Sequence, residues 1–269
     1  MDLILFPVND ETFEFFVQGE MIRHPLYNTL AGNLDIELSD GFKKFFKEKE
    51  VRDRLKTYRD FHIESIKKKQ KFFKKYLDKK DYEGALFLIE KPYRLDWLNQ
   101  NIELFEDNPK QFYELLKDAY VDTEFPLSGL EKDEIQNLFY YFGNPLLMMD
   151  KEEKKFYKKL PKVLTIYRGI KTKQNQKVNK DNIGFSFSLD KERAEWFAKR
   201  LLLANDNAYL ITAKIKKEKV LSVFLNRGEE EVLVDPDFLY DVKIKKIKTP
   251  EISERDIFTR SLQQNLWSG

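Results

Sequence analysis

The hydrophobic period of this chain changes at Lys159-Leu160-Pro161. Before that point apolar residues recur at three- and four-residue steps; after it they fall into short β-prone runs. A period near 3.6 buries one stripe of a helix, whereas a period of two buries one face of a strand. The pattern therefore predicts a mainly helical region over residues 1–160 and a sheet-bearing domain over residues 161–269. That is an α+β chain, and its 269 residues suffice for two modest domains or for one with a helical extension.

Within the first region the helical reading runs from about Asp40 to Tyr141. Leu55, Tyr58, His62 and Ile66 keep the helical step, and Phe72, Phe73, Tyr76 and Leu77 continue it. Pro92 should start or interrupt a helix. Trp97, Leu98, Ile102 and Phe105 form another stripe, followed by Phe112, Leu115 and Leu116. Stripes this rich in aromatics read as core packing rather than as a cofactor site. Thr123 to Gly129 reads as a loop before a helix over Lys132 to Tyr141. In the second region strands are expected near Leu164–Arg168, Gly184–Ser188, Ala208–Lys214, Val220–Phe224, Glu230–Val234 and Tyr240–Ile247. One helix, Lys191–Ala204, interrupts them, and Lys171–Asp181 reads as a polar loop.

Composition removes several chemistries. Without cysteine there is no disulfide, thiolate nucleophile or cysteine zinc site, and two histidines, His24 and His62, are too few and too distant for a structural metal. No metal is expected. Met1 to Pro7 carries no basic leader, and no apolar run reaches membrane-spanning length, so the expected location is cytoplasmic, without a membrane partner. A net charge of +2 gives no global argument for nucleic acid. Locally, Lys43–Lys80, Lys214-Ile215-Lys216-Lys217 and Lys243-Ile244-Lys245-Lys246 are basic. Such patches are either solvated faces or places where phosphates of a polyanionic acceptor are neutralised.

Three short segments carry the chemistry. Val163 to Arg168 is β-prone and meets Gly169, which predicts Arg168 at or near a strand end. An arginine there either grips a pyrophosphate with its planar fork or lies on the surface of an edge strand. In Gly184-Phe185-Ser186-Phe187-Ser188-Leu189, alternation puts Ser186 and Ser188 on one face and the aromatics on the other. Asp190 follows as a helix N-cap. The hydroxyls either cap the turn or assist catalysis. In Glu229-Glu230-Glu231-Val232-Leu233-Val234, Glu229 and Glu231 project to one side, where they face a cation or guard a sheet edge.

The ordered series Arg168, Ser186-Phe187-Ser188 and Glu229-Glu230-Glu231 resembles the Arg-Ser-Glu class of mono-ADP-ribosyltransferases, found among bacterial toxins and phage-encoded transferases. Phe187 departs from the threonine usual at the centre of the serine motif. The resemblance covers about the last hundred residues, and the other large transferase class opens with a histidine where this chain has Arg168. It implies an ADP-ribosyltransferase-like β-sandwich core and NAD as co-substrate. Breaking the bond between nicotinamide and ribose produces an oxocarbenium-like sugar, and a carboxylate stabilises such a cation. Glu231 is the residue implied for that role, with Ser186 orienting it, Arg168 holding phosphate and Glu229 facing the acceptor. Tyr167, Gly169 and Ser188 are the further cofactor-binding candidates, Tyr167 either shelving a ring of NAD or filling the core. Lys219 to Gly228 corresponds to the family's target-recognition loop, with Phe224 and Arg227 as its conspicuous side chains. Phe224 either stacks on the target or ends a buried strand.

The implied function is transfer of ADP-ribose to a macromolecular acceptor, a protein arginine or RNA/DNA, by a toxin, phage or antiphage-defence effector with an antitoxin or immunity partner. The alternatives are an NAD glycohydrolase and a non-catalytic binding module with the same fold. In the family, a helical part ahead of the sheet covers the cleft or binds a partner.

Overall fold

A computed structural model describes residues 68–89, 91–122, 130–173, 178–179, 183–200, 206–225 and 230–247. The helix expected around His62 and the loop Thr123–Gly129 lie outside them. The chain divides into two compact units, Met1–Leu130 and Glu131–Gly269.

The described part of the first unit is helical: α1 (residues 68–78), α2 (Tyr82–Leu88), α3 (Arg94–Gln100) and α4 (Pro109–Asp122), with 3-10 turns at Lys91–Tyr93 and Ile102–Phe105. The starts of α2 and α3 have local causes. Asp81 caps α2 by accepting from Gly84 N–H at 3.0 Å. Pro92 sits in the 3-10 turn just before α3, where its missing N–H costs nothing. The apolar stripes become the core, with Trp97, Leu98, Ile102, Phe105, Phe112, Leu115 and Leu116 all buried. Phe105 is its centre, meeting the rings of Tyr82, Trp97 and Phe112 at 4.9, 6.4 and 5.5 Å between centroids. Burying each such ring contributes about 1.5–3 kcal/mol. Phe72 leaves the stripe and is 50% exposed.

The second unit carries α5 (Lys132–Tyr140), α6 (Lys151–Lys159) and α7 (Lys191–Lys199) with the strands β1 (Val163–Lys173), β2 (Ser186–Ser188), β3 (Asp206–Lys216), β4 (Val220–Phe224), β5 (Glu231–Val234) and β6 (Tyr240–Ile247). It begins at Glu131, ahead of the boundary expected at residue 161. The reason is packing: Leu146, Phe156, Tyr157 and Leu160 join Met149 against the core of the sheet. An amphipathic stripe announces a helix but not the core it joins.

Among the described residues, six strands form one antiparallel sheet in the order β4-β5-β2-β1-β3-β6. A sandwich would place them in two sheets; here the three-residue β2 joins β5 to the longer half made of β1, β3 and β6. Alternation assigns the faces. Leu164, Ile166, Phe187, Ile211, Ala213, Val232 and Val234 share the main apolar cluster. The opposite face takes α7, which packs on β1, β2 and β3.

One expectation is corrected here. Arg168 is not at a strand end, because β1 runs on through Gly169 to Lys173 and takes up the start of the expected loop. Gly169 does not break the strand; it admits a helix. A Cβ at Gly169 would lie 1.9 Å from the Ala194 carbonyl oxygen and 2.5 Å from Ala198 N, so only glycine lets α7 pack this close.

The edges are managed differently. Every residue of β4 is buried, under α6 and the 3-10 turn Pro145–Met148. On β6, Lys243, Lys245 and Lys246 are exposed, as suits an open edge that must not pair with another chain. No helix among the described residues is long and apolar enough to cross a membrane.

Candidate functional site

The strands carrying the arginine, the serines and the glutamate are neighbours: β1, β2 and β5 lie side by side. The registers Tyr167↔Ser188 and Ser188↔Glu231 set these three residues in one row, and directly opposed residues share a face. Ser186 is on that same face, one diagonal step from Glu231. Its hydroxyl donates a hydrogen bond to Glu231 Oε1. Glu231, Ser186 and Arg168 are all half-buried, so the carboxylate is partly withdrawn from water without being sealed from a ligand.

Arg168 enters by a different route. It follows Tyr167 in β1 and so leaves the strand on the other side, the side of Ile166. Its guanidinium reaches β2, where Nη1 donates to the backbone carbonyl of Ser186. The contact lies one residue past the Tyr167↔Ser188 pairing and ties β1 to β2 there. Ser186 is thus held twice, by its carbonyl to Arg168 and by its hydroxyl to Glu231. The three residues, far apart in sequence, form one connected chain of hydrogen bonds.

Gly184 belongs to this arrangement, although the sequence reading gave it no role beyond opening a strand. Its φ is +68°, and a Cβ there would lie 2.9 Å from Arg168 Nη2. The left-handed backbone favours glycine, and a side chain here would also make the Arg168 guanidinium shift. The signal in the sequence is a glycine two residues before a serine strand; the arginine beside it is a tertiary contact that no local pattern contains.

The remaining candidates take varied positions. Ser188 Oγ accepts from Asp190 N–H at 3.0 Å, and Asp190 in turn caps α7 by accepting from Glu192 N–H at 2.7 Å and Arg193 N–H at 3.3 Å. Ser188 therefore shapes the strand-to-helix turn beside the row. Tyr167 is half-buried within the row. Gly169 lies beneath α7, which gives it a packing role. Phe224 stands directly opposite Glu231 in β4 and is 2% exposed. Of the two readings of Phe224 the buried strand end is the one found, and it flanks the glutamate without offering a stacking surface. The expected recognition loop shrinks accordingly, since Val220–Phe224 is strand. Arg227 and Glu229 lie outside the described residues.

Two neighbouring networks fix the strands around Glu231. Glu153, 1% exposed, closes a capping box with Asp150 and also accepts from Leu225 N–H at 3.3 Å, which anchors the end of β4. Asp235, which follows β5, is 4% exposed and accepts from Gln136 Nε2 at 3.0 Å, Tyr140 Oη at 3.1 Å and Asp237 N–H at 2.9 Å. Lys132 adds a 2.7 Å ion pair to Asp237. Lys132, Gln136 and Tyr140 recur every four residues, so one face of α5 grips the segment leaving β5. Burial and the adjacent Asp235 carboxylate push the Tyr140 hydroxyl above the ordinary tyrosine range.

The two basic patches of the second unit stand away from this row. Lys217 donates to the carbonyls of Lys158 at 2.7 Å and Leu160 at 3.1 Å, capping the end of α6. Lys214 pairs with Asp241 at 2.9 Å. Lys243, Lys245 and Lys246 are on β6, separated from β2 by β1 and β3. Among the described residues no cluster of three or more His, Cys, Asp or Glu is placed to hold a metal ion. Across known proteins, no family model, curated protein or solved structure matches this chain.

Proposed function

We propose that the protein is an NAD-dependent mono-ADP-ribosyltransferase of the Arg-Ser-Glu class, with an ADP-ribosyltransferase-like core. The observation that carries this reading is the connected series Arg168, Ser186, Glu231 across β1, β2 and β5. A carboxylate held by a hydroxyl on a rigid sheet suits the stabilisation of a developing cation, because its orientation is set before the reaction begins.

In this reading the bond between the nicotinamide nitrogen and ribose C1′ breaks, and its electron pair neutralises the positive ring of the leaving group. Positive charge then grows on the sugar. Glu231 stabilises that charge, and Ser186 keeps the carboxylate in position. Arg168 acts from the other face of the sheet: it holds β2 through the Ser186 carbonyl, and its part in this reading is to position Ser186. The nucleophile of a macromolecular acceptor completes the exchange by bonding to C1′ and losing a proton. We place the activity in the cytoplasm of a target or host cell, as a toxin, phage or antiphage-defence effector.

Incubation with NAD labelled in its adenylate part and a whole-cell extract, followed by protease or nuclease, tests the reading. Label retained on macromolecules and released by one of the two enzymes is expected. Free ADP-ribose alone would make the protein an NAD glycohydrolase. Unconsumed NAD would leave only a binding module.

A further inference from the structure

We propose that Glu153 is a positioning residue for Glu231, acting through β4; the inference rests on the reading of Glu231 as the catalytic carboxylate. Glu231 is the first residue of β5. It stands between Ser188, the last residue of β2, and Phe224, the last of β4. Three strands thus meet the site at their ends, where local opening costs least. On the β2 side Arg168 ties the strand down through the Ser186 carbonyl. On the β4 side the tie is Glu153, whose Oε1 accepts from Leu225 N–H at 3.3 Å, one residue beyond Phe224.

Burial separates this role from helix capping. Glu153 Oε2 accepts from Asp150 N–H at 2.8 Å and so closes the capping box of α6, but such a box does not need a buried carboxylate. Glu134 closes the same kind of box on α5 while half-exposed. Glu153 is buried, and taking a carboxylate out of water is costly unless hydrogen bonds compensate. What burial brings is the second bond, from the backbone beside the residue that faces Glu231.

The same helix braces β4 at its other end. Four residues after Glu153, on the same flank of α6, Tyr157 Oη donates to the Lys217 carbonyl at 3.1 Å, in the turn that leads into β4. The two braces are not equivalent for the site. Val220, at the Tyr157 end, is opposite Val234, the end of β5 remote from Glu231, whereas Phe224, at the Glu153 end, is opposite Glu231 itself. Loosening the Tyr157 end costs stability alone. Loosening the Glu153 end also frees the backbone beside the carboxylate, and a displacement of about 1 Å in a catalytic group is enough to slow a reaction by about a hundredfold.

The test compares Glu153→Ala, Glu153→Gln and Tyr157→Phe with the wild type in the full-length protein. Nicotinamide release from NAD gives kcat and KM, a thermal ramp gives stability, and hydrogen exchange gives the protection of the Leu225 and Glu231 amides. Glu153→Ala should lower kcat by about tenfold to a hundredfold with KM little changed. Glu153→Gln, which keeps one carbonyl oxygen as an acceptor, should fall between Glu153→Ala and the wild type; should Glu153→Ala fail to fold, Glu153→Gln carries the comparison. Tyr157→Phe should melt at a lower temperature yet keep the wild-type kcat. Exchange at Leu225 and Glu231 should quicken in the Glu153 variants and not in Tyr157→Phe. An unchanged kcat in the Glu153 variants, or an equal loss in Tyr157→Phe, would overturn the proposal. A wild type that releases no nicotinamide would instead sink the transferase reading. Exchange would then still decide whether Glu153 holds the strand end beside Glu231, and unaltered protection in Glu153→Gln would refute it.

Discussion

Ser186 is the residue on which the candidate site turns, since its carbonyl accepts from Arg168 and its hydroxyl donates to Glu231. Removing the hydroxyl takes away the hydrogen bond from β2 to the Glu231 carboxylate. Ser186→Ala should lower kcat for NAD cleavage by about tenfold to a hundredfold, the usual cost of a loosened catalytic group. KM should change little, and Ser186→Thr should recover most of the rate. Steady-state kinetics on the three proteins checks this; an unchanged kcat in Ser186→Ala would mean that the contact does not orient Glu231. At Gly169 the issue is space. Gly169→Ala puts a methyl 1.9 Å from the Ala194 carbonyl oxygen, and overpacking of this kind costs about 1–3 kcal/mol. The urea midpoint should fall accordingly, and an undiminished midpoint would contradict close packing of α7 on β1.

At the level of elements, α5 is fastened to the segment after β5 by polar side chains at four-residue spacing, with Tyr140 donating to Asp235. The native state raises the Tyr140 ionisation above that of the unfolded chain. Below about pH 10 both states keep the proton; above it the unfolded chain releases its proton first, so stability falls as pH rises. Melting temperatures through the alkaline range should decline more steeply in the wild type than in Tyr140→Phe, which at neutral pH loses about 1 kcal/mol for the missing hydrogen bond. Parallel declines would show that Tyr140 is not held in this way. Most elements were legible in the sequence. Alternation in Ser186-Phe187-Ser188 and the apolar run Val220–Phe224 mark strands directly, and Asp190 marks a helix start. The extension of β1 past Gly169 was not legible, because whether glycine ends a strand or admits a helix depends on a partner distant in sequence. The same holds for Arg168 beside Gly184 and for Phe224, whose burial is set by β5.

For the molecule as a whole, α5 and α6 belong with the sheet, and the unit from Glu131 onward carries its own apolar cluster. A polypeptide of residues 131–269 should therefore fold by itself and unfold cooperatively, as a domain with its own core does. Circular dichroism during a thermal ramp checks this; a broad, non-cooperative change would mean that the core needs residues before Glu131. The order of arginine, serines and glutamates was legible from sequence, because each sits in a run with its own strand signal. Their convergence was implied only by the resemblance, since no local pattern decides strand order, and it is the part of the account with functional weight. The most direct test of it is nicotinamide release from NAD by the purified wild type and by Glu231→Gln, with matched melting temperatures as the control for folding. The account predicts measurable release that falls by about a hundredfold or more in the variant, as expected when a preorganised charge is removed from a developing cation. Equal release by the two proteins, or none by the wild type, would contradict it.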